Sequence, residues 1–122
     1  MKIAITAEGN TLESEVDPRF GRCSHFLIID TDTMNFESIS NESAMASGGA
    51  GIQAAQTIAK SGVEAVVTGN MGPNAFQTLS AAKIKVFIGA NGTIKEAIEK
   101  YKKGDLKESG APNVGSHSGM RR

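Results

Sequence analysis

Between Gly51 and Tyr101 the chain alternates helical and extended hydrophobic rhythms, and that alternation restricts the fold more than any other feature. Ile52, Ala55, Ile58 and Ala59 fall at helical spacing until Ser61-Gly62 supplies a stop. EAVVTG (64–69) follows as an apolar run of strand length. Pro73 suits the first turn of a second helix, with Ala75, Phe76, Leu79 and Ala82 on its inner face, and KVFIGA (85–90) is a second buried run. Thr93 is placed to cap a third helix, whose Ile94, Ala97, Ile98 and Tyr101 recur at i, i+3, i+4 and i+7. Strands joined by helical crossovers in one sheet run parallel, so this half of the chain predicts an α/β fold.

The first forty residues are extended. KIAITA (2–7) reads as a strand leading into a long loop, 8–24, and HFLIID (25–30) and FESIS (36–40) flank the turn TDTMN as a hairpin. The predicted order is βββαβαβα, a five-stranded mixed sheet flanked by three helices, with strand two antiparallel to strand one. At 122 residues the chain fits one domain with one core. That domain is expected over residues 1–103. Residues 104–122 are expected to form a flexible tail, since 107–122 offer only Val114 and Met120 as sizeable apolar groups.

If strand one lies parallel beside EAVVTG, one rim of the sheet collects the loop 8–24 and the connections ESAMASGGAG (42–51), GNMGP (69–73) and ANGT (90–93). The last three lead into helix N-termini, where free N–H groups favour anions, and open α/β sheets bind ligands at this carboxyl rim. Glycines 48, 49, 51, 69, 72, 89 and 92 would let a ligand approach backbone there, although each also suits an ordinary tight turn.

Several function classes are disfavoured. Thirteen Lys plus Arg balance thirteen Asp plus Glu, so no overall field draws the chain to nucleic acid or to an acidic membrane. GAGIQA (49–54) matches a loosened dinucleotide fingerprint but does not follow strand one. No phosphate-loop lysine pattern occurs, the first and fourth strands carry no central Asp for metal-dependent nuclease chemistry, and no nucleophile–base–orienter set is evident. A non-enzymatic protein is expected. A single cysteine excludes an internal disulfide, and MKIAITAEG lacks the apolar run of a leader or membrane helix, so a cytoplasmic location is expected.

The densest group of reactive side chains is DPRFGRCSHF (17–26), which holds Arg19, Arg22, Cys23 and His25. His25 and the two arginines can lower the pKa of the Cys23 thiol, and a thiolate is a soft metal ligand. If the strand starts near Cys23, the two-residue spacing puts Cys23 and His25 on one face. A lone thiol ahead of a strand is more often packing than ligation. Met45, Met71, His117 and Met120 are further soft donors, each with an ordinary explanation as gap filler or solvated tail.

KIAIT, DPRFGRCSHFLIID, GGAGIQAAQTIAKSGVEAVVTGNMGPNAFQTL and KVFIGANGTIKEAI together resemble the dinitrogenase iron-molybdenum cofactor biosynthesis family over residues 1–103. The resemblance implies a ribonuclease H-like fold without nuclease residues. It also implies non-covalent binding or carriage of a metal–sulfur cluster, of iron–molybdenum or a related Mo, Fe or Cu type, during cofactor assembly. Members tied to nitrogenase commonly have His where this chain has Arg19, which can hold an anion but cannot ligate a metal as imidazole does. On this reading Arg19 and Arg22 offset cluster charge and Cys23 or His25 supplies a ligand. The backbones of Gly48, Gly49, Gly51, Gly69, Asn70 and Gly72 line the cradle. Expected partners are the cluster and cofactor-assembly proteins, with a monomer or weak dimer as the assembly. The competing reading is a regulatory or scaffold module that binds a partner ATPase or a small anion without metal.

Overall fold

The central strand, β1 (Lys2–Ala7), is apolar along almost its whole length, and Ile3, Ala4, Ile5 and Ala7 are fully buried because helices cover both faces of the sheet. The computed structural model describes residues 1–42 and 49–111. The remaining elements are β2 (His25–Asp30), β3 (Phe36–Ser40), α1 (Ala50–Ala59), β4 (Ala65–Val67), α2 (Pro73–Ala81), β5 (Lys85–Ile88), α3 (Ile94–Lys103) and β6 (Lys107–Glu108). The sheet order is β3-β2-β1-β4-β5-β6. β2 runs antiparallel to β1, with Ile5 opposite Leu27, while β4 runs parallel to β1, with Ile5 beside Val67. The expected neighbourhood of the first and fourth strands is therefore present.

Strand alternation sends side chains to two cores. Ala4, Phe26, Ile28, Val66 and Val86 pack with Ala54, Ala55, Ile58 and Leu79 of α1 and α2. Ile3, Ile5, Leu27, Ile29 and Val67 pack with Ile94, Ala97 and Ile98 of α3 on the other face.

Three expectations need correction. The sheet has six strands: Phe87 pairs with Glu108, Ile88 pairs with Lys107, and Ser109 N–H donates to the Val86 carbonyl at 2.8 Å. β6 is held through backbone while its own side chains are exposed, so it leaves no hydrophobic trace in the sequence. The buried face of α1 is Ala50, Ala54, Ala55 and Ile58, whereas Ile52 is 36 % exposed. Ala82 lies at the exposed C-cap of α2. The expected tail from residue 104 falls partly on 112–122, and Val114, His117 and Met120 lie outside the described residues. Among the described residues, no helix is long and apolar enough to cross a membrane.

Candidate functional site

The loop between β1 and β2 divides at Val16. Its first half runs over the start of α3: Ile94 N–H donates to the Ser14 carbonyl at 2.8 Å and Lys95 N–H to that of Leu12 at 3.0 Å. Thr93 and Glu96 complete a reciprocal capping box, with Glu96 N–H on Thr93 Oγ1 and Thr93 N–H on Glu96 Oε1. The donors in the first turn of α3 are therefore all engaged. The connection ANGT, expected at the shared rim, offers nothing to a ligand through this helix terminus.

The second half, from Asp17, turns to the other face. Asp17 N–H donates to the Thr6 carbonyl at 2.9 Å, and Thr6 Oγ1 donates to the Asp17 carbonyl at 2.6 Å. The Thr6 hydroxyl has one hydrogen, so Thr68 donates in the 2.8 Å contact between the two buried hydroxyls. Asn70 N–H donates to the Pro18 carbonyl at 2.8 Å. Gly69 is required at this crossing, because a Cβ there would lie 2.7 Å from Pro18 Cα. Phe20, almost fully buried against Phe26 with ring centroids 5.5 Å apart, anchors the loop in the core.

Residues 18–22, 49–52, 70 and 72–75 then enclose a cleft of about 440 Å³. Two helices begin on it. Neither the N-cap of α1, Gly49, nor that of α2, Gly72, supplies a side-chain cap. The first-turn N–H groups of Gly51 and Ile52 in α1, and of Asn74 and Ala75 in α2, have no intrahelical acceptor by geometry. With the two helix dipoles behind them, they create an anion-attracting surface. Gly49, at φ 70°, makes the left-handed entry into α1 that a side chain would strain. Gly21 packs directly on that entry: a Cβ would lie 2.9 Å from both N and Cα of Gly51.

Arg19 and Arg22 line the same cleft. Arg19 is fixed by Asp17, whose carboxylate accepts from Arg19 Nε and Nη2, each at 3.1 Å, and from Arg19 N–H at 3.0 Å. The hydrogen bond and charge of Asp17 hold the Arg19 pKa above its ordinary value. The arginine side chain stays 64 % exposed over a carboxylate only 1 % exposed. Two of the five guanidinium N–H groups serve Asp17, which leaves the rest of the fork for another acceptor.

Cys23 and His25 do not line this cleft. Cys23 is fully buried in the core with Phe20, Phe26 and Met71. Its thiol donates to the Phe20 carbonyl at 3.3 Å, and burial pushes its pKa up to about 12, so it stays protonated at neutral pH. The spacing argument that put Cys23 and His25 on one face fails: β2 begins only at His25, and by alternation His25 shares the face of Leu27 and Ile29. The Nδ1 atom of His25 is buried without a hydrogen-bond partner among the described residues.

Of the other expected cradle residues, Gly49, Gly51, Asn70 and Gly72 line the cleft, and Gly69 acts behind it as the contact to Pro18. Gly48 and Met45 lie outside the described residues. Sequence reasoning missed Asp17, Asn41 and the Thr6–Thr68 pair. Asp17 was within reach, since an acid two residues before an arginine is a natural partner for it, but Asn41, whose side-chain amide donates to the Cys23 carbonyl, acts across 18 residues. Among the described residues, no three His, Cys, Asp or Glu side chains gather as a metal site. The donor set suits an anion met through its outer atoms and does not suit a bare metal ion.

The family model described as dinitrogenase iron-molybdenum cofactor matches residues 1–104. The apo form of the orange protein from Desulfovibrio gigas is similar in structure, with a TM-score of 0.89 and 45 % identity over 92 % of this chain and 95 % of that one. A Thermotoga structure provisionally described as a NifB protein gives a TM-score of 0.77 at 40 % identity, covering 88 % of this chain and 91 % of that one. An uncharacterised protein of Methanocaldococcus jannaschii is 32 % identical over 111 residues, which is 88 % of this chain and 91 % of the relative.

Proposed function

The chain belongs to the dinitrogenase iron-molybdenum cofactor family, and from that membership we propose that it holds an anionic metal–sulfur cluster as cargo in the cleft between α1 and α2 during cofactor assembly. The observation that carries this reading is the convergence of two helix N-termini without side-chain caps and two arginines on one cleft. A sulfide-rich cluster presents acceptor atoms and negative charge on its outside, which N–H groups and guanidinium can meet without replacing any of its ligands. The binding is non-covalent, and the protein acts as a carrier that catalyses no step. Its location is cytoplasmic, its assembly a monomer or weak dimer, and its partners the proteins that supply and receive the cluster. We place the fold in the ribonuclease H-like group. β1 and β4 carry no acidic residue, so that architecture serves here as scaffold and not as nuclease.

Purification without oxygen, followed by visible absorption and elemental analysis, tests the reading. Coloured protein containing molybdenum, iron or copper together with sulfide is expected. Colourless, metal-free protein that retains a simple oxyanion would make the cleft an anion-binding scaffold instead.

A further inference from the structure

An anion cleft built from backbone is vulnerable to its own carbonyl oxygens, because each peptide that turns its N–H toward the ligand can also turn its C=O there. In the segment from Asp17 to Ser24 six of these oxygens, those of Asp17, Pro18, Phe20, Gly21, Cys23 and Ser24, are tied down. The Asp17 carbonyl accepts from Thr6 Oγ1, that of Pro18 from Asn70 N–H and that of Phe20 from Cys23 Sγ. Asn41 Nδ2 donates to the carbonyls of Gly21 at 3.1 Å and Cys23 at 2.9 Å, and Asn41 N–H donates to that of Ser24 at 2.9 Å. Thr6, Cys23 and Asn41 are all buried, so the carbonyls that face them face the protein interior.

We infer that Cys23 and Asn41 are positioning residues of the cleft: they hold the Phe20, Gly21 and Cys23 carbonyls inward, so that residues 19–22 present donors and positive charge to an anion. The inference rests on the anion-binding reading above and gives Cys23 a role opposite to that of a ligand. A thiolate could not donate to the Phe20 carbonyl, and the high thiol pKa is consistent with the donor role. Released carbonyls would be free to swing toward Gly51, whose backbone lies against Gly21.

Titrating tetrathiomolybdate into the full chain without oxygen tests this, with thermal melting of each variant to establish that it is folded. Cys23→Ala is expected to bind about tenfold more weakly, the loss of roughly one hydrogen bond's worth of positioning. Cys23→Ser retains a donor and is expected to recover most of that affinity, a rescue that a packing role for sulfur would not produce, because the hydroxyl is the poorer filler of an apolar site. Asn41→Ala is expected to lose at least as much as Cys23→Ala. Wild-type affinity in both folded alanine variants, or equal loss in Cys23→Ser and Cys23→Ala, overturns the inference while leaving the anion-binding reading intact. Failure of the wild-type chain to bind tetrathiomolybdate overturns both.

Discussion

The Asp17 carboxylate accepts from Nε and Nη2 of Arg19 in a two-point pair, each bond 3.1 Å long, at the mouth of the cleft. The pair carries no net charge, so attraction for an anion rests on the two helix termini more than on Arg19. Its stronger effect is structural. It fixes the guanidinium plane and holds the turn at Pro18 against Asn70, with which Arg19 forms an isolated parallel bridge.

Arg19→Ala should therefore cost stability as well as affinity. It strands a carboxylate that is 1 % exposed, and the expected loss is about 1 kcal/mol, discounted because the guanidinium faces solvent. Adding Asp17→Asn should recover part of it. Urea unfolding of the two variants and their combination measures the coupling, and a double variant no better than Arg19→Ala would show that the pair does not fix this loop. Cluster affinity in Arg19→Ala should fall about tenfold or less.

Gly21 and Gly51 should respond differently to the same methyl group. A Cβ on Gly21 would lie 2.9 Å from backbone atoms of Gly51, which cannot yield without moving α1. A Cβ on Gly51 would meet only Ala75 Cβ at 3.5 Å, an ordinary contact. Gly21→Ala should destabilise by about 1–3 kcal/mol. Gly51→Ala should be neutral or stabilising by up to about 1 kcal/mol, because alanine is the better helix former. Similar chemical-denaturation midpoints for the two variants would contradict the close approach of loop and helix.

The alternation of helix and strand after Gly51 and the inner face of α3 were legible because long periodic segments report their own burial. β6 was not, since a two-residue strand is held by its neighbour's backbone. The candidate cleft was legible in part: the shared rim follows from connectivity, and Gly49, Gly51 and Gly72 of the expected glycines line it. Which helix termini remain available does not follow from connectivity. That α3 is engaged by Leu12 and Ser14 while α1 and α2 lack side-chain caps depends on the path of a long loop. Cys23 was misplaced for a related reason, because a break of alternation at Ser24 sends it to the α1–α2 core and His25 to the opposite face.

Burial of Cys23 predicts a pH dependence. The thiol pKa rises from an ordinary value near 9.0 to about 12 in the folded chain, so between those limits the unfolded state releases a proton that the folded state keeps. Stability should be independent of this group below pH 9 and fall as pH rises toward 12, with a slope of up to about 1.4 kcal/mol per pH unit. Every other group is common to wild type and Cys23→Ala, so the informative quantity is the difference between the two. That difference should shrink as pH rises. A constant difference would mean that the thiolate is tolerated in the folded core.

Thr93→Ala separates stability from binding. It removes the Oγ1 acceptor for Glu96 N–H, at an expected cost of about 1 kcal/mol. α3 packs on the face of the sheet opposite α1 and α2, so affinity for a thiometallate should stay at the wild-type value. A parallel loss of affinity would extend the site to the ANGT connection.

The most direct test of the central claim is a backbone amide NMR titration of the full chain with tetrathiomolybdate without oxygen. Cargo held by two helix N-termini should shift the amides of Gly51, Ile52, Asn74 and Ala75 most strongly, with Arg19 and Arg22 moving beside them and Ile94 to Glu96 unmoved. Shifts centred on Cys23 and His25, or on the start of α3, with the first turns of α1 and α2 unchanged, would contradict the account.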